Sequence, residues 1–182
     1  MYELFFEKIE EKIKLTSAQE DIIKQYLIPK KIRKNQYLLQ EGDVAKYAAF
    51  VEKGALRAYS VDDRGTEHII QFAFEGWTVS DMYSFLTGEA ATYNIDALED
   101  SELVLISKAA QDEILKQIPA YEVYTRLQVT GAYMAMQKRL TSMLSLSLEE
   151  RYINLTKLYP SLMQRVHQRM IASYMGLTPE TL

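Results

Sequence analysis

The sequence predicts an α+β fold in which an N-terminal antiparallel β-roll or jelly roll is flanked by helices and followed by one long helix and a helix-turn-helix. Three observations support this prediction. Between residues 30 and 107, short β-branched and aromatic runs alternate with Gly- or Asp-containing turns about every ten residues. Residues 121–145 contain no Pro and a single Gly, which suits one uninterrupted helix. Residues 168–182 carry the pattern of two helices joined by a tight turn.

The composition is typical of a globular protein and argues against several classes of function. The 182 residues are 48% hydrophobic and 25% charged, and their net charge is −4, which suits one ordinary domain plus a small appendage. No run approaches the ~18 apolar residues of a membrane span, and the N-terminus lacks the features of a signal peptide. We therefore expect a cytoplasmic protein without membrane contact. Because the chain has no Cys, disulfides, thiolate zinc sites and cysteine-ligated iron–sulfur clusters are excluded.

Catalytic and metal chemistry find little support in the sequence. The only two histidines, His68 and His167, lie far apart in the chain, and no clustered His and Glu ligands of the kind found in metal-binding β-rolls exist. We interpret His68 as a surface or packed residue on a strand. There is no Gly-rich phosphate loop and no Ser–His–Asp arrangement. The sequence therefore predicts a protein that is not an enzyme and that carries no metal or cofactor.

The N-terminal region is predicted to be helical up to about residue 27. Apolar residues recur there near helical spacing, residues 16–20 offer a helix start, and Pro29 closes the region. Within the β-rich region, residues 81–89 are the exception because their pattern fits a short helix that is closed by Gly88. Strands are expected near residues 31–33, 37–40, 47–52, 55–61, 67–74, 94–97 and 102–106.

The remainder of the chain is predicted to be helical. A short helix stops at Pro119, and the long helix over residues 121–145 follows it. Ser147 and Glu150 form a capping box, which starts a further helix that ends before Pro160.

The long helix has two apolar stripes. One contains Val123, Leu127, Thr130, Met134 and Leu144, and the other contains Val129, Tyr133, Met136, Leu140 and Met143. A helix that is apolar on two sides usually packs between two bodies. We expect one side to contact the β-roll and the other to contact the same helix of a second subunit in a two-fold symmetric homodimer. The alternative is a helix that is buried wholly inside one domain.

The C-terminal residues predict the start of a DNA-binding motif. Ile171 and Ala172 suit the inward side of a first helix, and Gly176 suits the tight turn after it. Thr178 is a good N-cap and Pro179 suits the first position of a second helix, which the chain begins but does not complete. In helix-turn-helix proteins this second helix lies in the DNA major groove. The sequence thus predicts DNA as a partner despite the acidic net charge.

Several motifs, taken in order, resemble one protein family. They are Glu41-Gly42-Asp43, Phe50-Val51-Glu52-Lys53-Gly54 with Leu56-Arg57, Glu75-Gly76, residues 80–89, Ala97-Leu98-Glu99-Asp100-Ser101, Glu150-Arg151-Tyr152 and residues 171–181. Their order and spacing resemble the Crp/Fnr family of bacterial transcription regulators over nearly the whole chain. The wording of residues 84–89 and the many tyrosines resemble members from Bacteroidetes-type bacteria.

The resemblance implies three parts and a ligand site. The parts are a cyclic-nucleotide-binding-like sensor domain (1–118), a long dimerisation helix (119–146) and an incomplete winged-helix-type DNA-binding domain (147–182). In the family, an Arg-Ser pair binds the phosphate of a cyclic nucleotide. Here no Arg or Lys lies between Arg64 and Lys108, and a buried phosphate without its guanidinium loses charge-assisted hydrogen bonds. Cyclic AMP binding in the usual mode is therefore not expected.

The same stretch offers a candidate pocket for a different, unknown small-molecule effector. The residues suited to line it are Thr78, Ser80, Asp81, Tyr83, Thr92, Tyr93 and Asn94. Asp81 suits a ribose hydroxyl. The alternative is that these residues are only the polar rim of a degenerate cassette. By cassette we mean the chain segment that contains these seven residues and corresponds to the phosphate-binding segment of the family.

The resemblance also implies DNA-contacting roles at the C-terminus. Gln168 and Arg169 would approach the DNA backbone, and Thr178 and Thr181 would donate hydrogen bonds to phosphates. Glu180 would read a base edge by accepting from cytosine N4, or it is simply a first-turn partner of the helix dipole. The predicted function is a dimeric transcription regulator. The alternative is a ligand-binding or protein-interaction module whose C-terminal helices serve only for packing.

Overall fold

The computed structural model describes residues 2–177, which form eight helices and eight strands. The helices are α1 (Glu3–Glu10), α2 (Ser17–Tyr26), α3 (Met82–Thr87), α4 (Lys108–Gln117), α5 (Ala120–Ser145), α6 (Leu148–Leu158), α7 (Leu162–Arg165) and α8 (Gln168–Tyr174). The strands are β1 (Ile28–Ile32), β2 (Tyr37–Leu39), β3 (Tyr47–Lys53), β4 (Leu56–Val61), β5 (Glu67–Ala73), β6 (Thr78–Val79), β7 (Asn94–Ala97) and β8 (Ser101–Ser107).

The strands form two four-stranded antiparallel sheets that face each other. Sheet I has the order β1-β8-β3-β6 and sheet II has the order β2-β7-β4-β5. Alternate residues of both sheets point into a shared interior, where Val51, Leu56, Ile95 and Leu103 are fully buried. This arrangement gives the predicted β-roll.

Helices cover the outer faces of both sheets, so the molecule has an apolar layer on either side of the roll. On sheet I, α1, α2, α4 and the start of α5 bury a cluster around Phe50 and Val104. On sheet II, the C-terminal helices bury a cluster around Ile69 and Phe72. The second cluster shows that the C-terminal helices share a core with the β-roll rather than standing apart from it.

Local capping explains where several helices begin. Thr16 and Gln19 form a reciprocal capping box at the start of α2, and Ser147 and Glu150 form the predicted one at the start of α6. Helix α1 has no side-chain cap from its own N-terminus. Instead, the Glu52 carboxylate on β3 accepts hydrogen bonds from the backbone N–H groups at the start of α1.

The β3–β4 turn requires glycine at residue 54. Gly54 has φ +102°, and a Cβ at this position would lie 2.2 Å from the Ser101 side-chain oxygen. A larger residue would therefore meet both backbone strain and a direct clash.

The structure differs from the sequence-based expectations in three places. The N-terminal helical region is two helices, separated at residues 11–16. Pro29 does not close the region before the sheet but lies inside β1, where it is tolerated because β1 is an edge strand that pairs only with β8. The two-residue strand β6 and the four-residue helix α7 were not predicted, because so few residues carry no periodicity.

Candidate functional site

Asp81 is the best-connected residue of the predicted effector pocket, and all of its contacts are internal. The side chain is 1% exposed. Its Oδ1 caps α3 by accepting from the Ser84 N–H (3.0 Å), and its Oδ2 accepts from the N–H and the hydroxyl of Thr92 (2.9 and 3.2 Å). These bonds tie the start of α3 to the segment that leads into β7. In this structure the Asp81 carboxylate therefore holds the cassette together.

The other predicted pocket residues make separate local contacts. The Ser80 hydroxyl donates to the Tyr47 carbonyl, the Tyr83 hydroxyl donates to Glu89, and the Asn94 amide oxygen accepts from the Glu41 N–H. Thr78 lies exposed on β6, and Tyr93 is half-buried. Of the seven residues, the structure brings Asp81 and Thr92 into direct contact.

A groove of about 670 Å³ lies beside this region, along the edge of the roll where β1 and β2 face solvent. Its walls come from residues 37–47, Lys30, Ile95 and Leu105. None of the seven predicted pocket residues lines it. The groove and the predicted pocket are thus lined by different residues of the β-roll.

Arg57, a buried cation on β4, is paired with carboxylates. Its guanidinium, 7% exposed, donates two hydrogen bonds to Asp96 (2.8 and 3.0 Å) and also pairs with Glu67. Because its neighbours Leu56 and Ala58 face the interior, Arg57 points to the outer face of sheet II. Although burial would lower the pKa of the guanidinium, these carboxylates raise it, so the group stays charged. Arg57 is therefore not available to a phosphate inside the roll.

The pairing of Arg57 with Asp96 and Glu67 was not predicted from the sequence. The signal was present, because Arg57 interrupts an otherwise apolar strand, which indicates a charge that must be paired when it is buried. The partners Asp96 and Glu67 lie on neighbouring strands of sheet II. Only the strand pairing shows that they meet.

The long helix α5 presents an apolar surface to solvent. Four residues of one predicted stripe, Val129, Tyr133, Met136 and Leu140, are each 58–68% exposed, and its fifth residue, Met143, is 41% exposed. The other stripe is also largely uncovered, since Leu127, Met134 and Leu144 are exposed. The buried residues of α5 are Tyr121 and Tyr124 at its start. The expected packing of one whole stripe against the β-roll is therefore not observed.

The first helix of the predicted DNA-binding motif is α8. Gln168 and Arg169 lie in its first turn with exposed side chains, while Ile171 and Ala172 are buried as predicted. Gly176 follows with φ +72°, the left-handed conformation that a tight turn after a helix requires. The predicted DNA-contacting residues Thr178, Glu180 and Thr181 lie outside the described residues.

Arg165 joins the C-terminal helices to the β-roll by ion pairs. It donates two hydrogen bonds to Glu75 (2.8 and 2.9 Å) and also pairs with Glu99. Its guanidinium lies 5.0 Å from the centre of the Phe74 ring. Burial alone would raise the pKa of the Glu75 carboxyl, but the hydrogen bond from Arg165, backbone hydrogen bonds such as that from the Gly54 N–H, and the charge of Arg165 together outweigh it and hold that pKa below its ordinary value.

Within residues 2–177, no group of three or more His, Cys, Asp and Glu side chains is placed to hold a metal ion. No helix in this part of the chain is long and apolar enough to cross a membrane.

Comparison with known families finds one match, which covers the β-roll. Residues 29–118 match the family model of the cyclic nucleotide-binding domain. No curated protein matches the chain in sequence.

Solved structures share the fold over most of the chain. A protein assigned to the Crp/Fnr family of transcriptional regulators, from Eubacterium rectale, has a TM-score of 0.69 at 19% identity, covering 92% of this chain and 80% of that one. The c-di-GMP-responsive global regulator CLP of Xanthomonas campestris has a TM-score of 0.69 at 14% identity, covering 91% and 87%. FixK2 of Bradyrhizobium japonicum has a TM-score of 0.67 at 20% identity, covering 85% and 80%. Residues 29–118 therefore have the fold of a cyclic nucleotide-binding domain, and the chain as a whole shares the fold of these solved structures.

Proposed function

We propose that this protein is a dimeric transcription regulator of the Crp/Fnr type, with a β-roll sensor, α5 as the dimerisation helix and α8 as the first helix of a DNA-binding helix-turn-helix. The observation that carries the proposal is the C-terminal sequence in its structural setting. An exposed Gln168 and Arg169 begin α8, a left-handed Gly176 follows its end, and the next residues in the sequence are Thr178-Pro179-Glu180, whose residue types suit a helix start. Such a motif places its second helix in the major groove.

The dimer is supported by the exposed stripe on α5. Val129, Tyr133, Met136 and Leu140 recur at helical spacing and remain uncovered in a single chain. A continuous apolar strip of this kind marks a protein interface. A second copy of the chain fits because two α5 helices related by a two-fold axis would cover each other's stripes.

In the sensor part of the proposal, cyclic AMP is not bound in the mode usual for the family. The cassette lacks an Arg or Lys between residues 64 and 108, and Arg57 is paired with Asp96 and Glu67 on the outer face of sheet II. The seven cassette residues stay the predicted pocket for another effector. The alternative of a rigid cassette is favoured by the internal hydrogen bonds of Asp81.

In the DNA-bound protein, each predicted contact has its own role. Arg169 supplies a cation to the phosphate backbone, and Thr178 and Thr181 donate to phosphates. Glu180 reads one base pair in each half-site. A separate support concerns the subgroup: the sequence Ser-Phe-Leu-Thr-Gly-Glu at residues 84–89 favours a Bacteroidetes-type member.

The proposal is tested by selecting binding sites from random DNA with the product of the whole gene. We expect a two-fold symmetric motif whose half-site centres lie about 10–10.5 base pairs apart, or a multiple of this. Glu180→Ala should relax the preference at one base pair of each half-site and leave the others unchanged. Failure to enrich any sequence would support the protein-interaction alternative. Equal weakening at every position would show that Glu180 only starts a helix.

A further inference from the structure

The edge of sheet II is occupied by the first helix of the C-terminal unit. Strand β5 is the last strand of this sheet, so its outward backbone groups have no neighbouring strand. The Ser173 hydroxyl on α8 meets two of them: it accepts from the Ile69 N–H (3.0 Å) and donates to the Glu67 carbonyl (2.8 Å). One serine thus satisfies both a donor and an acceptor of the strand edge.

A second residue joins the same two elements from the long helix. The Arg139 guanidinium on α5 donates to the carbonyls of Ile69 and Ile70 on β5 and to the carbonyl of Tyr174 at the end of α8. It also lies 3.8 Å from the centre of the Tyr174 ring. Because the last carbonyls of a helix lack intrahelical partners, a cation at this position is favourable. Arg139 is therefore the point at which the sensor, α5 and α8 meet.

These polar contacts differ in kind from the apolar cluster beneath them. Burial of apolar surface in the cluster around Ile69 and Phe72 stabilises the contact between the C-terminal helices and sheet II. The hydrophobic effect is not directional, so it does not select one orientation of these helices. Hydrogen bonds to fixed backbone groups depend on distance and angle. The contacts of Ser173 and Arg139 therefore set the orientation of α8 on the sensor.

We propose that Arg139 and Ser173 form a latch that holds the C-terminal unit on the β5 edge, so that the sensor strand sets the orientation of the DNA-binding helices. The functional consequence of the latch rests on the proposed DNA-binding role of α8, but the contact itself is measurable without DNA. Gln168 and Arg169 stay exposed while α8 is latched. The latch thus orients the predicted DNA-facing surface without covering it. Any shift of β5 in the sensor is passed directly to α8.

The first test is amide hydrogen exchange by NMR on the Arg139→Met variant. On β5 the Arg139 guanidinium contacts carbonyls and not the Ile69 N–H, which donates to Ser173, so that N–H responds to this change through movement of Ser173. We expect Ile69 to exchange at least about tenfold faster in the variant. The matched control is Arg126→Met on the exposed face of the same helix, where the native arginine pairs only with Glu122. This control should leave the exchange rate of Ile69 unchanged. Exchange at residues 103–105 in the core should keep its parent rate in both variants.

The second test measures the orientation itself. Because the chain has no Cys, cysteines introduced at Asp63 in the β4–β5 turn and Gln164 on α7 are unique spin-label sites. With labelled chains diluted in an excess of unlabelled protein, so that distances within one chain dominate, we expect one narrow distance distribution in the parent. Ser173→Ala and Arg139→Met should each broaden or shift it, and Arg139→Lys, which keeps a donor without the planar fork, should have a smaller effect.

Unchanged distance distributions in Ser173→Ala and Arg139→Met would overturn the latch, as would unchanged exchange at Ile69. If Arg139→Met fails to fold, the Ser173→Ala distances decide. DNA binding enters neither readout, so a protein that binds no DNA would refute the proposed function and leave the latch standing.

Discussion

Replacing Asp81 by Ala should destabilise the protein substantially, because the carboxylate has structural partners on both sides. The change removes the N-cap of α3, which costs about 0.5–2 kcal/mol. It also leaves the Thr92 N–H without its acceptor, which costs about 1–3 kcal/mol in a partly buried site. The combined loss is about 3 kcal/mol. For a chain of this size, that corresponds to a Tm lowered by roughly 6–12 °C.

Differential scanning calorimetry with matched variants measures this effect. Asp81→Asn keeps one acceptor oxygen, and we expect it to cost about half as much as the alanine variant. Asp63→Ala in the exposed β4–β5 turn is the control and should change stability by less than about 0.5 kcal/mol. If Asp81→Ala melts together with the control, the carboxylate does not hold the cassette. Asp81 would then be free for the effector role that its sequence position suggests.

Three further predictions follow from the site and the helices. Titration calorimetry with cyclic AMP and cyclic GMP should show no binding tighter than about 100 μM; micromolar binding would mean that Arg57 or another arginine leaves its carboxylates for the phosphate. Met136→Glu with Leu140→Glu should convert the dimer to a monomer in sedimentation, since the pair would bury unpaired charge at the contact; a dimer that persists, or a monomeric parent, would contradict the assignment of α5. The lowered pKa of Glu75 means that its pair with Arg165 stabilises the fold above the unfolded-state pKa of about 4.5 and is lost as the pH falls through the folded-state value. The stability advantage over Glu75→Gln in urea unfolding should therefore shrink as the pH falls below the unfolded-state value of about 4.5, and a constant advantage would exclude this linkage.

The elements that carry a strong local pattern were predictable from the sequence. Strand β7 was predicted at its observed bounds, and the start of α6 was predicted from its capping box, because strand alternation and helix caps are local signals. The extent of α5 followed from the absence of Pro between residues 120 and 145.

Contacts between distant residues were not predictable. The pairing of Arg57 with Asp96 depends on the register between β4 and β7, and the docking of Ser173 on β5 joins residues more than a hundred positions apart. For Asp81 the sequence position suggests a ligand contact, but the structure places its carboxylate at the start of α3. Single sequences carry little information about such pairs because they contain no record of which chain segments meet.

The salt dependence of DNA binding tests the central claim most directly. The gene product and its Arg169→Ala variant are titrated with the selected DNA site by fluorescence anisotropy at several salt concentrations. Because each neutralised phosphate contributes about 0.9 to the slope of log affinity against log salt, we expect the variant to bind all sequences more weakly and to lose about one unit of slope. Arg33→Ala, an exposed arginine between β1 and β2, should keep the parent slope. A parent protein without measurable DNA binding, or an Arg169→Ala variant with the parent slope, would contradict the placement of α8 at the DNA backbone.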